Sequence, residues 1–257
     1  MNRDYILAAD TDIGLTKTAN QDSVFLRNIY HPEAGSVVLA VICDGMGGLE
    51  KGEVASSSVV REFETWFSAL TPGHFRDVVS SRWVYDEFNH LIQKQNQTIH
   101  DYGREHRIRL GTTATVMLIA DKSYYIIHVG DTRVYELTQE LTQLTEDQTV
   151  VAREVKNGKM TPEQARTDPR RNVLLQCIGA SERVVPQFLT GDIREEAVYL
   201  LCTDGFRHEL MPEEIYQYLN PQVLADKEQS QIRIRQLIDL NKQRNESDNI
   251  TAAVIHT

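Results

Sequence analysis

A chain of 257 residues with 41% hydrophobic and 25% charged residues can bury a large core, which excludes disorder as its dominant state. Its 27 Lys and Arg against 37 Asp and Glu give a formal net charge of −10. That balance excludes a surface devoted to wrapping a nucleic-acid backbone, though not a phosphate-bearing substrate, because a bound metal can supply positive charge.

No apolar run approaches the roughly 18 residues of a membrane span. The start Met1-Asn2-Arg3-Asp4 leads into a stretch broken by Asp10 and Asp12, too short and too acidic for a secretion signal. Cys43, Cys177 and Cys202 are widely spaced and odd in number, so a disulfide framework or thiolate zinc site is not expected. A reducing cytoplasm fits best.

Apolar runs at 5–9, 24–29 and 37–43 read as strands, the third ending at the turn-rich Asp44-Gly45-Met46-Gly47-Gly48. Ala55, Val59, Phe63, Trp66, Phe67 and Leu70 then fall at three- and four-residue spacing, one stripe of an amphipathic helix stopped by Thr71-Pro72-Gly73. Phe75, Val78, Val79, Arg82, Tyr85, Phe88, Leu91, Ile92, Ile99 and Tyr102 predict a longer helix over 75–102, its aromatic residues in the core.

Strands return at 113–119, 124–129 and 133–137, with turns at Asp121-Lys122 and Gly130-Asp131. Residues 145–185 are polar, and Thr161-Pro162-Glu163-Gln164 carries an N-cap, a Pro at N1 and a first-turn acid. An insertion of this kind predicts a flap beside a site. A strand at 198–203, a turn at Asp204-Gly205, helices from about 212 and over 229–242, and a strand at 250–255 follow. Strands and helices are segregated rather than alternating, which favours an α+β fold with largely antiparallel sheets. The whole of 1–257 reads as one domain with a flap at about 145–185.

The placement of aspartates carries the chemistry. Asp44, Asp131 and Asp204 follow predicted core strands, and Asp22 and Asp248 precede them. Any one of these has an ordinary reading as a turn residue. Five on neighbouring strands would converge on one rim, where mutual repulsion raises their pKa values unless cations intervene. Oxygen ligands select Mg²⁺ or Mn²⁺ over zinc. Two such ions about 3.5–4 Å apart can share a carboxylate and activate water for in-line attack on phosphorus. Gly45 would let its carbonyl approach an ion, since no side chain blocks it.

With those residues in place, the chain resembles the bacterial metal-dependent serine/threonine protein phosphatases, the protein phosphatase 2C family. The resemblance rests on Asn20-Gln21-Asp22-Ser23, Asp44-Gly45-Met46-Gly47-Gly48, Gly52-Glu53-Val54-Ala55-Ser56, Gly111-Thr112-Thr113 and Gly130-Asp131-Thr132-Arg133. It continues through Leu144-Thr145-Glu146-Asp147, Arg171-Asn172, Thr203-Asp204-Gly205 and Asp248-Asn249-Ile250-Thr251. It implies a sandwich of two antiparallel β-sheets flanked by helices on both sides, with Mn²⁺ or Mg²⁺ ions in a cleft at one edge. By position, Asp44 resembles the bridging carboxylate and Gly45 the carbonyl ligand of the first ion. Asp204 and Asp248 resemble ligands of the second, and Asp131 with Asp204 resembles the holder of a weaker third. Asp22 matches the acid of the first motif. Asp44 and Asp204 are the residues on which catalysis is expected to depend.

Four departures stand out. Lys17 replaces the family's phosphate-binding Arg, keeping the charge but losing the bidentate fork. Gln21 replaces a Glu, and Gln148 a His in the flap. Met46 and Leu49 occupy positions near which the wider family carries a proton-donating His, and neither can donate. Water at the metals is the preferred donor. His208 is the side-chain alternative, with a surface position in the turn as its ordinary reading. His128 is out of phase with Asp131, and Cys202, in phase with Asp204, reads as a small core residue.

The resemblance implies hydrolysis of phosphoserine and phosphothreonine in proteins phosphorylated by a Ser/Thr kinase, by a monomer without nucleic-acid or membrane partners. Two alternatives remain: a phosphoprotein-binding pseudophosphatase, motivated by Lys17, Gln21 and Leu49, and a phosphomonoesterase for small molecules.

Overall fold

A computed structural model describes residues 5–31, 35–46, 51–71 and 79–257. The chain runs β1 (Ile6–Asp12), β2 (Asp22–His31), β3 (Gly35–Asp44), α1 (Gly52–Ser68), α2 (Ser81–His106), β4 (Ala114–Ala120), β5 (Ser123–Val129) and β6 (Arg133–Leu137). It continues with β7 (Leu141–Gln143), α3 (Val150–Lys156), α4 (Pro162–Thr167), β8 (Gln187–Asp192), β9 (Val198–Cys202), α5 (Asp204–Arg207), α6 (Pro212–Leu219), α7 (Lys227–Gln243) and β10 (Ile250–His256). Two five-stranded antiparallel sheets form, ordered β1-β10-β9-β6-β7 and β2-β3-β4-β5-β8. This is the predicted α+β sandwich.

Period-two geometry explains why the central strands read as unbroken apolar runs. On β3, Val37, Leu39, Val41 and Cys43 face the layer of α1 and α2, while Val38, Ala40 and Ile42 face the opposite sheet. β9 does the same: Val198, Leu200 and Cys202 pack toward α6 and α7, and Tyr199 and Leu201 point between the sheets. Three apolar layers result, one between the sheets and one under each helical face. Each Val, Leu, Ile or Phe buried there contributes about 1.5–3 kcal/mol relative to exposure.

Of the α1 stripe, Ala55, Val59, Phe63 and Phe67 are fully buried as the spacing predicts, while Trp66 and, just past the helix, Leu70 pack against the same core partly buried. The second helix starts later than expected, at Ser81, so Val79 precedes it and offers its carbonyl to the Tyr125 hydroxyl at 2.7 Å. Gly47, Gly48, Leu49, Pro72, Gly73, Phe75 and Val78 lie outside the described residues. Tyr102, expected in the core, is exposed and stacks on His106.

Strands β7 and β8 were not anticipated. Both are edge strands with little full burial, so neither carries a clean alternation. Gly130-Asp131 is not a hairpin: it carries the chain from β5 in one sheet to β6 in the other. Asp204-Gly205 opens the short helix α5 rather than a simple turn. Among the described residues no helix is long and apolar enough to cross a membrane.

Candidate metal centre

The register of β2 on β3 sets Asp22 directly opposite Asp44, at one end of their sheet. In the other sheet, antiparallel pairing of β9 with β6 and β10 brings the end of β9 beside the starts of its two neighbours. Asp204 follows β9, Asp131 precedes β6 and Asp248 precedes β10, so three carboxylates share that end. The two ends meet. Asp22 Oδ2 accepts from the Thr251 hydroxyl at 2.6 Å and the Thr203 hydroxyl at 3.0 Å, both from the opposite sheet's side.

Backbone contacts set the local shape. The Asp44 N–H donates to Thr113 Oγ1, and its carbonyl accepts from the Thr112 hydroxyl and the Thr113 N–H, each at 2.9 Å. Gly45 is required by close packing: a Cβ there would stand 2.4 Å from the Gly52 carbonyl oxygen and 2.5 Å from that of Gln21. Gly205 is equally constrained, its Cβ position lying 2.2 Å from the Asn249 carbonyl oxygen. Asn249 ties the loop after β1 to this end: its amide donates to the carbonyls of Ile13 and Ala19, and its Oδ1 accepts from the Gln21 N–H. That loop delivers Lys17, whose Nζ is 2.8 Å from Asp248 Oδ1.

The carboxylates repel. Burial, then Asp204 and Asp248, push Asp22 up to about 7 against the pull of the two threonine hydroxyls. Burial, followed by Asp22, Asp204, Asp131 and Asp248, drives Asp44 well above the carboxylate range. Burial and Asp204 lift Asp131 to about 7, while Arg207 and Arg133 oppose the rise. Burial lowers Lys17, but Asp248, Asp44 and Asp204 outweigh it and raise its pKa.

These residues fit hard divalent cations. Every donor is oxygen, and Asp204 Oδ1 is buried without a hydrogen-bond partner, a costly arrangement for a carboxylate. Among the described residues no three His, Cys, Asp or Glu side chains are gathered closely enough to enclose an ion by themselves. An open rim of this kind suits Mg²⁺-like ions, which keep several waters and take only one or two carboxylates each.

Other expectations resolve differently. His208 is not a surface residue: its side chain is 13% exposed, with Nε2 3.7 Å from Asp204 Oδ2 and Nδ1 3.7 Å from Glu246 Oε2. Burial lowers its pKa despite the neighbouring Asp204. His128 stands apart from the rim, held by the Thr115 hydroxyl and the Glu146 carbonyl, and burial pushes it down to about 4. Cys202 is a buried core residue whose thiol burial pushes up to about 12. Met46 joins the Gly111 carbonyl through its N–H and offers no proton.

Of four further neighbours, Glu246 and Arg207 escaped sequence reasoning, while Glu53 stood there only as part of a motif and Gln148 only as a departure in the flap. Glu246 Oε1 accepts the N–H groups of Ser247 and Asp248, shaping the approach to Asp248. Glu53 Oε2 comes within 3.5 Å of Gln21 Nε2. Arg207 reaches the Asp131 carbonyl at 3.2 Å. Gln148 accepts from the Gly130 N–H through Oε1 and donates to the His128 carbonyl through Nε2, pinning the crossing between sheets. Proximity in sequence could have flagged Glu246 and Arg207, each within three residues of a predicted ligand.

The two-sheet sandwich brings oxygen donors from both sheets to one end, and the family follows from sequence. Residues 16–240 match the family described as Protein phosphatase 2C, and the chain belongs to it. It is 32% identical over 249 residues to protein phosphatase PhpP of Streptococcus pneumoniae, covering 95% of this chain and 94% of that protein. It is 32% identical to serine/threonine protein phosphatase PstP of Mycobacterium tuberculosis over 96% of this chain and 44% of PstP.

Among solved structures, serine/threonine phosphatase Stp1 from Staphylococcus aureus superposes with a TM-score of 0.85 at 27% identity, covering 100% of this chain and 96% of that one. The catalytic domain of PstP in complex with two manganese ions superposes with a TM-score of 0.78 at 29% identity, covering 98% and 99%.

Proposed function

We propose that this chain is a metal-dependent protein serine/threonine phosphatase that hydrolyses phosphoserine and phosphothreonine by direct attack of water, without a covalent enzyme intermediate. The observation that carries the reading is the meeting of Asp22 and Asp44 from one sheet with Asp131, Asp204 and Asp248 from the other, in a chain of this family. Bound Mn²⁺ or Mg²⁺ supplies the positive charge that phosphate needs and lowers the pKa of the attacking water.

Asp44, the Gly45 carbonyl, Asp204 and Asp248 would hold the ions, and Asp22 would complete the acidic wall. Thr203 and Thr251 orient Asp22 through one oxygen. Lys17 meets the substrate phosphate as a point charge rather than a fork. Burial lowers the His208 pKa, and water at the rim is the preferred proton donor to the leaving alkoxide. Residues 145–185 act as the flap. A groove of about 1370 Å³ runs between them and α5–α6, lined among others by Arg153, Arg166, Arg171 and His208. Its size suits a polypeptide better than a small molecule. The substrates are proteins phosphorylated by a Ser/Thr kinase in the cytoplasm, and the enzyme works as a monomer.

The Lys17–Asp248 ion pair favours a second reading, a phosphoprotein-binding pseudophosphatase, because it occupies the one cation expected to meet phosphate. Phosphate release from a phosphothreonine peptide separates the two. The enzyme releases phosphate with Mn²⁺ and stops in excess chelator. Tight peptide binding with no turnover at saturating Mn²⁺ establishes the alternative, and full activity in chelator refutes the metal mechanism.

A further inference from the structure

Arg207 is a buried cation set among the candidate ligands. Helix α5 places it three residues past Asp204, and its side chain is 11% exposed. Its Nη2 donates to the Asp131 backbone carbonyl at 3.2 Å and stands 3.5 Å from Asp131 Oδ2. The other nearby acid, Asp147, is already engaged: the Arg133 fork closes on both its oxygens, at 2.8 and 2.7 Å. Arg207 approaches Asp147 only to 3.7 Å. Its own Nε is buried without a hydrogen-bond partner.

A buried guanidinium that forgoes a hydrogen bond is costly, so charge must hold it there. The local balance accounts for it. Arg133 and Arg207 together offset Asp147 and Asp131, leaving that corner neutral. Among the described residues, Lys17 is the Lys or Arg that pairs with a member of the set Asp22, Asp44, Asp204 and Asp248, and its partner is Asp248. Positive charge is therefore wanted on one side of the rim and already supplied on the other.

We propose that Arg207 takes the place of a cation beside Asp131. Ions then load against Asp22, Asp44, Asp204 and Asp248, and a further ion shared by Asp131 and Asp204 is excluded. The inference rests on the reading of the rim as a divalent-metal centre and concerns how many ions that centre accepts. A divalent ion drawn to Asp131 would lie within a few ångström of a guanidinium that cannot release its proton. Asp147 also stands 3.7 Å from Arg207, but both its oxygens already accept from the Arg133 fork, and the hydrogen bond of Arg207 goes to Asp131.

The count of bound ions tests this directly. Chelator-stripped protein is titrated with Mn²⁺ by calorimetry, and bound Mn²⁺ is counted by electron paramagnetic resonance. The expected result is two ions for the unsubstituted protein, three for Arg207→Ala, and two again for Arg207→Ala combined with Asp131→Asn. The third ion of Arg207→Ala should bind at least tenfold more tightly than any further uptake by the unsubstituted protein. Three ions in the unsubstituted protein overturn the inference without any variant. An unchanged count in a folded Arg207→Ala overturns it too. If that variant unfolds, Arg207→Met keeps the buried aliphatic bulk and is judged by the same count. Failure of the unsubstituted protein to bind any Mn²⁺ overturns the metal reading itself, and this inference with it, and is distinguished from a count of three.

Discussion

Asp10 and Asp12 on β1 and Asp22 and Asp44 on β2 and β3 are two pairs of strand aspartates with opposite surroundings. Arg235 from α7 reaches both members of the first pair, and Lys242 Nζ lies 3.1 Å from each oxygen of Asp12. Burial raises the Asp12 carboxyl, but the Gly14 N–H, Lys242 and Arg235 together bring it below the usual range. Asp22 and Asp44 have no ion pair with a side-chain cation among the described residues, and both are pushed up. The contrast teaches that a concentration of acids is not itself a site. What marks the second pair is repulsion that the protein's own side chains leave uncompensated.

The sharpest way to break this comparison is to neutralise an acid of the uncompensated rim. Asp44→Asn or Asp204→Asn should lower Mn²⁺-dependent phosphate release by about 100-fold or more. Asp44→Asn should nevertheless unfold in chelator at the same temperature as the parent or higher, since a buried repulsive charge is gone. Retained turnover in either variant would remove these residues from the chemistry.

The pH dependence of stability follows in size. Asp22 and Asp131 have folded pKa values of about 7, raised from an ordinary carboxylate value near 4, and Asp44 is raised as well. A raised folded value means the stabilising protonated form is complete below about 4 and is lost as pH rises through about 7. In chelator, the unfolding temperature should therefore fall between pH 4 and 7. Saturating Mn²⁺ should oppose that fall, and a rise with pH in chelator would contradict the assigned repulsion.

Lys17→Ala should raise KM for a phosphopeptide about tenfold with a smaller effect on kcat, whereas Lys17→Arg should lower KM by restoring the fork. Steady-state kinetics decide it, and unchanged KM in both variants would detach Lys17 from phosphate. The smallest effect belongs to the compensated pair. Asp12→Asn should leave activity intact and cost about 1 kcal/mol, read as a drop of roughly 2–4 °C in unfolding temperature.

Much of the scaffold was legible because its signals are local. The α1 stripe, the run of β3 and the Thr161 N-cap with Pro162 at N1 each lie within a few residues and form as read. The edge strands β7 and β8 were not legible, since partial burial leaves them no alternation to read. The start of α2 was misplaced because Val79 is buried for a reason outside any helix, its contact with Tyr125. His208 was misread for the same kind of reason. Nothing near it in sequence reports Glu246, which approaches from the far side of α7 in the chain.

The chain by itself determined which residues could be strands and helices, that aspartates stand at the strand ends, and that the ordered motifs resemble one phosphatase family. Periodicity and turn chemistry depend on neighbours a few residues apart, so they can be read along the chain. Only the tertiary structure decided which carboxylates face one another, that Asn249 and the threonines bind the two halves of the rim, and that Arg207 stands at Asp131 while Arg235 stands at Asp10 and Asp12. Those pairings join residues up to 229 positions apart, as in Thr251 with Asp22. Charge compensation is settled by distance in space, and no local pattern encodes it.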